Sequence, residues 1–188
     1  DSDDAQRRMI RGVYALADGT EVTVFNGYFP QGESRDHPVK FPAKEAFYRD
    51  LLMTLNTEYS PTDHIVVMGD FNIAPVDNDI GITDDAKKRW LRTGKSSFLP
   101  EEREWFQQLI NWGVVDSWRS VNPEIDDRYS WFDYRSRGFE DDPKRGLRID
   151  HILVSKPLIE RMTDCGIDYT LRAMEKPSDH CPVWITVE

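Results

Sequence analysis

The sequence predicts a layered α/β fold, in which helices pack on β-sheets around one core. The chain has 188 residues, of which 39% are hydrophobic and 12% aromatic, enough apolar material for a substantial core. Segments with strand character alternate with segments of helical periodicity along the chain. No repeat or low-complexity linker interrupts this pattern, so we expect a single domain over residues 1–188.

The first half of the chain predicts a hairpin, two helices and a buried strand. Asp18-Gly19 joins two strands because this dipeptide is typical of a tight hairpin turn. After a proline-containing loop, one stripe of large apolar side chains indicates an amphipathic helix, and a continuous apolar run then indicates a buried strand. The predicted elements are strands at 9–17 and 21–28, a helix at 43–57, a strand at 64–69 and a helix at 84–92.

The second half continues the alternation. A helix is predicted to follow Pro100 because glutamates fill its first turn, where the helix dipole favours anions. The predicted elements are a helix at 101–112, strands at 128–132 and 148–154, a short helix at 157–162, and strands at 164–170 and 181–187.

Composition narrows the functional classes. The formal net charge of −10 argues against indiscriminate adhesion to phosphate backbones, although a bound cation or a local basic face would still permit a nucleic-acid ligand. Cys165 and Cys181 are too few for a disulfide scaffold or a cysteine-rich zinc site, and a reducing cytoplasm is the simplest expectation. The sequence contains neither a recognisable signal peptide nor an apolar stretch of ~18 residues, so no membrane span is predicted. The chain starts without methionine, close to a predicted strand, so we expect a piece of a longer protein.

Asp70 and Asn72 stand at the end of the buried strand. Alternate residues of an extended chain share a face, so these two side chains are expected to point the same way. A carboxylate and a carboxamide at a strand end suggest a polar site. The alternative is ordinary turn chemistry, in which both side chains bond to their own backbone.

A second polar cluster is predicted from the last third of the chain. Asp150 lies within an apolar run, where an unpaired charge is costly, so it needs a partner. His180 is the candidate partner, because a buried carboxylate orients an imidazole ring and stabilises its charged form. The alternative is that Asp179 caps a turn and His180 is a satisfied core histidine.

Tyr28 and Arg35 flank a further strand end that opens into a glycine-containing loop. The phenol could donate a hydrogen bond to a phosphate oxygen, and the guanidinium could clamp one. These strand ends carry carboxylate, amide, imidazole and phenol groups, and the spacing of cysteines typical of a zinc site is absent. This set of groups suits phosphoryl chemistry with a hard cation better than thiol or hydride chemistry.

Several motifs together resemble one family. Gly-Asp-Phe-Asn, Arg-Ile-Asp-His-Ile-Leu and Ser-Asp-His-Cys-Pro-Val-Trp, in that order, resemble the endonuclease/exonuclease/phosphatase superfamily of metal-dependent phosphoesterases. Three further segments resemble one branch of this superfamily, the bacterial exonuclease III type of AP endonuclease. They are residues 26–35, 88–105 and 131–137. The resemblance implies a DNase I-like four-layer fold, with two sheets face to face and helices outside. It also implies that the chain is the C-terminal two-thirds, roughly, of the family domain, without the opening strands that carry an Asn and a Glu metal ligand.

The resemblance implies catalytic roles for four residues. Asp179 and Asp70 would hold Mg²⁺ or Mn²⁺, and Asp150 with His180 would form a pair at the scissile phosphate. Asp70 would act on the attacking water or on the leaving 3′ oxygen, and the sequence does not separate these roles.

Catalytic roles are also implied for Asn72 and Tyr28, and substrate-binding roles for the remaining candidates. Asn72 and Tyr28 would hold phosphate oxygens. Trp131, Phe132 and Leu147 would form an apolar pocket that accepts a flipped sugar without a base, since a missing base lowers the cost of extrusion. The alternative for the two aromatic residues is core packing.

Two basic stretches are expected to contact the DNA backbone, with an affinity that falls steeply with salt. They are Lys87, Lys88, Arg89, Arg92 and Lys95, and Arg135, Arg137, Lys144, Arg145 and Arg148.

The expected function is therefore metal-dependent hydrolysis of DNA phosphodiesters in base excision repair. The activities implied are 3′-to-5′ exonuclease, AP endonuclease and 3′-phosphatase, on duplex DNA with abasic or 3′-blocked sites. The family is usually monomeric and would act in the bacterial cytoplasm on nucleoid DNA, while uncovered sheet edges would favour self-association of this piece. Two alternatives stay open: a related phosphoesterase acting on lipid or inositol phosphates, and a non-catalytic DNA-binding or structural fragment.

Overall fold

The computed structural model describes residues 7–188, which form two β-sheets with helices packed against them. A short 3₁₀ turn at Asp77–Asp79 precedes the second helix. In chain order the elements are β1 (Met9–Ala15), β2 (Glu21–Tyr28), α1 (Lys40–Glu58), β3 (Ile65–Asp70), α2 (Asp84–Arg92), α3 (Pro100–Trp112), β4 (Val114–Asp116), α4 (Ser117–Val121), β5 (Asp150–Ser155), α5 (Lys156–Ile159), β6 (Met162–Ile167), α6 (Tyr169–Arg172) and β7 (Val183–Val187).

The larger sheet has the strand order β1-β2-β3-β5-β4, and β6 pairs with β7 in the smaller one. The pair β2·β3 is parallel, so Tyr28 and Asp70 are register partners at the same edge of the sheet. The pair β3·β5 is antiparallel and places Asp150 directly opposite Asp70. The topology thereby brings three predicted site residues to one end of the sheet.

The core lies on both faces of the larger sheet. On one face, Phe25 and Val67 pack with Leu55 of α1 and Phe106 of α3. On the other face, a second apolar cluster includes side chains of β7, so the two sheets pack face to face. The predicted layered α/β class with two sheets is confirmed. Within residues 7–188, no helix combines the length and apolar character that crossing a membrane requires.

Most predicted elements are found, with shifted ends. The bounds of α2 are those predicted, whereas α1 begins three residues early because proline is tolerated in the first turn of a helix. The strand predicted at 128–132 is wrong, since only Trp131 of that segment forms isolated bridges. The strand predicted at 164–170 ends at Ile167, and α6 follows it. The elements β4 and α4 were not predicted from the sequence.

Gly69 is required where β3 passes β2 just before Asp70. Its φ is +132°, and a Cβ there would clash with the carbonyl oxygen of Gly27 on the neighbouring strand. We expect Gly69→Ala to lower the free energy of unfolding by about 2–4 kcal/mol, since strain and overpacking add. Gly19→Ala is the matched control, because Gly19 also has a positive φ, but a Cβ there would meet no atom of the described, non-neighbouring residues within 4 Å. The free energy of unfolding of both variants is measured by urea denaturation. An equal decrease in the two variants would contradict the steric argument.

Candidate active site

Asp70, Asp150 and His180 form a cluster at the end of the larger sheet. One potential ligand atom from each lies within 4.8 Å of those of the other two. His180 Nδ1 is 3.0 Å and 2.9 Å from the two carboxylate oxygens of Asp150. The pairing expected for Asp150 is therefore present in the structure, and Asp70 stands beside it.

Electrostatics in this cluster favour a bound positive charge. Burial, followed by the negative charge of Asp150, raises the pKa of Asp70 to about 6. Burial alone would lower the pKa of His180, but its hydrogen bond to Asp150 and the charges of Asp150 and Asp70 outweigh burial, so the pKa is raised. Two half-buried carboxylates thus share one small volume, and a positive charge relieves their repulsion.

The contact with Asp150 also assigns the proton positions on His180. A carboxylate only accepts hydrogen bonds, so Nδ1 carries a hydrogen and donates it. The second ring nitrogen, Nε2, is then an acceptor in the neutral ring and a donor in the charged one. His180 can therefore present either form to a group bound in the cluster.

Asn72 fixes the carboxylate of Asp70. Its backbone N–H donates to Asp70 Oδ1 at 2.8 Å, and its Nδ2 donates to Asp70 Oδ2 at 3.0 Å and to the Phe29 carbonyl at 2.9 Å. Its φ is +53°, a left-handed conformation that asparagine tolerates. The turn and the polar site that the sequence left as alternatives therefore coexist, because the turn orients the carboxylate.

Ser130 holds the backbone at the start of β5. Its hydroxyl oxygen accepts from the backbone N–H groups of Ile149 and Asp150, at 3.0 Å and 2.9 Å. The side chain is fully buried. These bonds fix the point at which Asp150 enters the site.

A buried ionic network lies beneath β5. Arg148, 1% exposed, donates to Asp79 at 2.7 Å and 3.0 Å and to Asp116 at 3.1 Å and 2.7 Å. Burial opposes ionisation of Asp116, but the charge of Arg148 and the bond to His151 outweigh it and hold the pKa of Asp116 well below its usual range. His151 Nε2 lies 2.8 Å from the Ile73 carbonyl, which ties β5 to the segment after Asn72.

Tyr28, Trp131 and Asp179 border the cluster. The Tyr28 ring is 56% exposed, and the Arg8 guanidinium lies over it, 4.9 Å from its centroid. Trp131 Nε1 donates to Asp179 Oδ2 at 3.0 Å, and the Trp131 backbone bridges to His180. Asp179, predicted as a metal ligand, is engaged by this indole and lies outside the three-residue cluster.

Arg35 and Phe132, two further predicted contact residues, are engaged by other residues of the protein. Arg35 forms a two-pronged ion pair with Glu101, in which Nε and Nη2 are used and Nη2 lies 2.8 Å from Oε2. Phe132 is fully buried and packs with Tyr129 and Phe139 in a core cluster.

Two further predicted residues, Leu147 and Arg148, are buried in the structure. Leu147 is buried in a core cluster that Trp131 only borders. Arg148 is a correction to the basic stretch, since its charge is paired with carboxylates inside the protein.

Four supporting residues were not found from the sequence. Asp79 and Asp116 stand in segments read as loop or left unassigned. Lys44 and Glu102 are fully buried and paired at 2.6 Å. One signal was available for this pair, because Lys44 lies on the apolar stripe of α1, four residues before Tyr48 and seven before Leu51.

The donor set fits a hard divalent cation such as Mg²⁺ or Mn²⁺. Oxygen ligands suit both ions, and Asp70 and Asp150 supply carboxylates from register partners on neighbouring strands. Burial, followed by the negative charge of Asp150, accounts for the raised pKa of Asp70.

Comparisons with known proteins agree with this chemistry. The model of the Endonuclease/Exonuclease/phosphatase family matches residues 3–180. The chain is 59% identical over 184 residues to exodeoxyribonuclease III of Haemophilus influenzae. The matched segment covers 98% of this chain and 68% of that protein.

Solved structures extend the likeness. A 3′ phosphatase from Neisseria, bound to a product DNA hairpin, superposes with a TM-score of 0.82 at 39% identity, covering 99% of this chain and 66% of that one. An AP endonuclease from Archaeoglobus fulgidus superposes with a TM-score of 0.84 at 31% identity, covering 100% of this chain and 68% of that one. The chain thus spans about two thirds of the length of these relatives. It belongs to the endonuclease/exonuclease/phosphatase family, as a homologue of exodeoxyribonuclease III.

Proposed function

We propose that this protein hydrolyses DNA phosphodiesters with the help of Mg²⁺ or Mn²⁺. It would remove nucleotides and phosphates from 3′ ends of duplex DNA and cut on the 5′ side of abasic sites. The observation that carries the proposal is the cluster of Asp70, Asp150 and His180 at the sheet end. The family and the relatives named as exonuclease, 3′ phosphatase and AP endonuclease support it. We also propose that residues 1–188 act as part of one domain.

Asp70 and Asp150 are the proposed metal-binding residues, with Asp179 as a further candidate. A bound divalent cation would polarise the scissile phosphate and stabilise negative charge that develops there. Asp70 is held by Asn72 in a fixed orientation, which suits a group that orients water or exchanges a proton with the leaving 3′ oxygen.

His180 is proposed to meet the phosphate through Nε2, since Nδ1 is turned toward Asp150. Asp150 favours the charged ring, which would stabilise an oxyanion by a charge-assisted hydrogen bond. Tyr28 stands at the neighbouring strand end with an exposed ring and is the proposed donor to a second phosphate oxygen. Asn72 is proposed to act mainly through Asp70, because both hydrogens of its amide are used within the protein.

A cationic cavity next to Trp131 supports contact with the DNA backbone. It has a volume of about 350 Å³ and is lined by residues of both basic stretches, namely Arg89, Lys95, Arg135 and Arg145, and by Asp133. Of these cations, Arg145 pairs with Asp141. Lys95 Nζ lies 3.6 Å from the centroid of a Trp90 ring in its wall. Arginine and lysine with aromatic walls suit a phosphate backbone. Trp131 is the proposed contact for an extruded abasic sugar.

Cleavage assays test the proposal. Duplex DNA with a single abasic site, duplex DNA with a 3′ phosphate, and an inositol phosphate should be offered to the protein with Mg²⁺ and with chelator. Cleavage of both DNA substrates that stops on chelation is expected. Faster turnover of the inositol phosphate would favour the alternative phosphoesterase. The same assay on residues 1–188 alone tests the alternative that this segment is non-catalytic.

DNA affinity is expected to fall steeply with salt. Each phosphate contact releases counterions, so the logarithm of the binding constant should decrease linearly with the logarithm of salt concentration. Lys95→Gln should reduce the slope by about 1. Lys40→Gln is a control lysine, because Lys40 pairs with Glu33 and is not among the residues that line the cavity. A flat salt dependence would contradict the proposed backbone contacts.

A further inference from the structure

Two buried side chains of α1 hold the backbone immediately after Asp70. Tyr48 Oη donates to the Phe71 carbonyl at 2.6 Å, and Lys44 Nζ donates to the Asn72 carbonyl at 2.8 Å. Both side chains are buried, Lys44 completely and Tyr48 with 2% exposed. The two successive carbonyls that follow the site carboxylate are thus bound from beneath by one helix.

Lys44 is itself held by α3. Its ammonium lies 2.6 Å from Glu102 Oε1, and Glu102 Oε2 accepts from the backbone N–H groups of Ser97 and Leu99 at 2.7 Å and 2.8 Å. Every strong polar group in this chain of contacts is therefore satisfied within the protein. The result is a continuous connection from the start of α3, through α1, to the segment after Asp70.

Stability alone does not require such an arrangement. Burying an ion pair costs desolvation free energy, and apolar residues of similar volume often serve the folded state as well or better. Burial lowers the pKa of Lys44, and the charge and hydrogen bond of Glu102 oppose this effect. What an apolar pair would not supply is a directed donor to one carbonyl. The geometry therefore indicates a role in orientation.

The connection ends on the carboxylate. Asn72 has its carbonyl bound by Lys44, while its N–H and its amide are bound to Asp70. Because one residue carries both sets of bonds in a left-handed conformation, a shift of its carbonyl also moves the groups that hold Asp70. We propose that Tyr48 and Lys44, with Glu102, are positioning residues that orient Asp70 for phosphodiester hydrolysis. This inference rests on the proposed function.

The test uses two variants of the protein expressed from its full reading frame. Tyr48→Phe removes only the hydroxyl that binds the Phe71 carbonyl. The double variant Lys44→Met/Glu102→Gln removes both charges while it keeps an acceptor for the backbone of Ser97 and Leu99, so no unpaired charge is left buried. We expect kcat on abasic duplex DNA to fall by about 10- to 100-fold, since sub-ångström misplacement of a reacting group is costly. KM should change little, because these residues lie beneath the surface that meets DNA.

Ser155→Ala is the matched control. It removes a buried hydrogen bond to the backbone N–H of Ile65, at the opposite end of β3 from Asp70. It should lower the denaturation midpoint as much as Tyr48→Phe does and leave kcat unchanged. Equal losses of kcat in Ser155→Ala and Tyr48→Phe would overturn the proposal, as would unchanged kcat in both folded test variants.

A second measurement separates this inference from the proposed function. Amide hydrogen exchange at Asn72 reports the bond from its N–H to Asp70 without any substrate. We expect faster exchange at Asn72 in the two test variants and no change in Ser155→Ala. If the unsubstituted protein cleaves no DNA, the proposed function fails and exchange still decides whether these residues orient Asp70. Unchanged exchange would refute the positioning role.

Discussion

Replacing Asp70 by asparagine is expected to lower kcat on abasic duplex DNA by about 10²- to 10⁴-fold, the range typical of a lost proton-transfer group. The substitution removes the negative charge and the proton acceptor. The amide oxygen of the introduced side chain would still accept the backbone N–H of Asn72, so the turn is expected to persist, while the bond from Asn72 Nδ2 is lost. A kcat within about threefold of the unsubstituted protein would be too small a change for a group that acts in the transition state.

Stability provides the control for Asp70→Asn. An acid whose pKa is raised in the folded state binds its proton more tightly there, so its ionised form destabilises the fold at neutral pH. Removing the charge relieves that penalty. In metal-free buffer we therefore expect the urea midpoint of Asp70→Asn to be unchanged or higher. A large loss of stability would mean that the fall in kcat reflects misfolding.

The second large effect concerns Asp150 and His180 as a coupled pair. Asp150→Asn is expected to lower kcat by about 10²- to 10⁴-fold, because an amide does not favour the charged imidazole as a carboxylate does. His180→Gln should have a similar effect. The double variant should be little worse than either single variant, since residues that act as a unit have strongly non-additive effects.

A double-mutant cycle measured with saturating DNA tests this coupling. If the logarithms of the two single losses simply add, the two residues act independently and the pairing seen in the structure has no catalytic role. A pH profile gives a further check: the raised pKa of His180 predicts that the charged ring persists to higher pH than an unpaired histidine. In Asp150→Asn, the loss of activity that accompanies deprotonation of His180 should move to lower pH.

The sequence predicted elements better where local signals dominate. The Asp18-Gly19 turn, the apolar run of β3 and the bounds of α2 follow from turn chemistry and periodicity. The segment at 128–132 has strand-like residues, yet its backbone bonds go to single residues such as Leu147 and Asp179. Such bridges depend on distant partners, which a local pattern does not contain.

The candidate site shows the same division. Asp70, Asp150 and His180 were predicted because polar groups at strand ends or inside apolar runs require partners, and the structure places them together. The surroundings were harder to predict. Phe132 is in the core, and the charges of Arg35 and Arg148 are paired within the protein, with Glu101, Asp79 and Asp116. Which acid meets which base depends on tertiary packing, so charge runs alone did not separate exposed cations from buried ones.

The order of strands in the larger sheet has a consequence for folding kinetics. Asp70 and Asp150 are register partners but distant in sequence, and His180 joins them from the approach to the last strand. Contacts between distant segments form slowly because the entropy of closing the intervening chain must be lost first. Helices and the first hairpin can therefore form well before the carboxylates meet. During refolding, recovery of the site is expected to be among the last events, and it marks completion of the whole sheet.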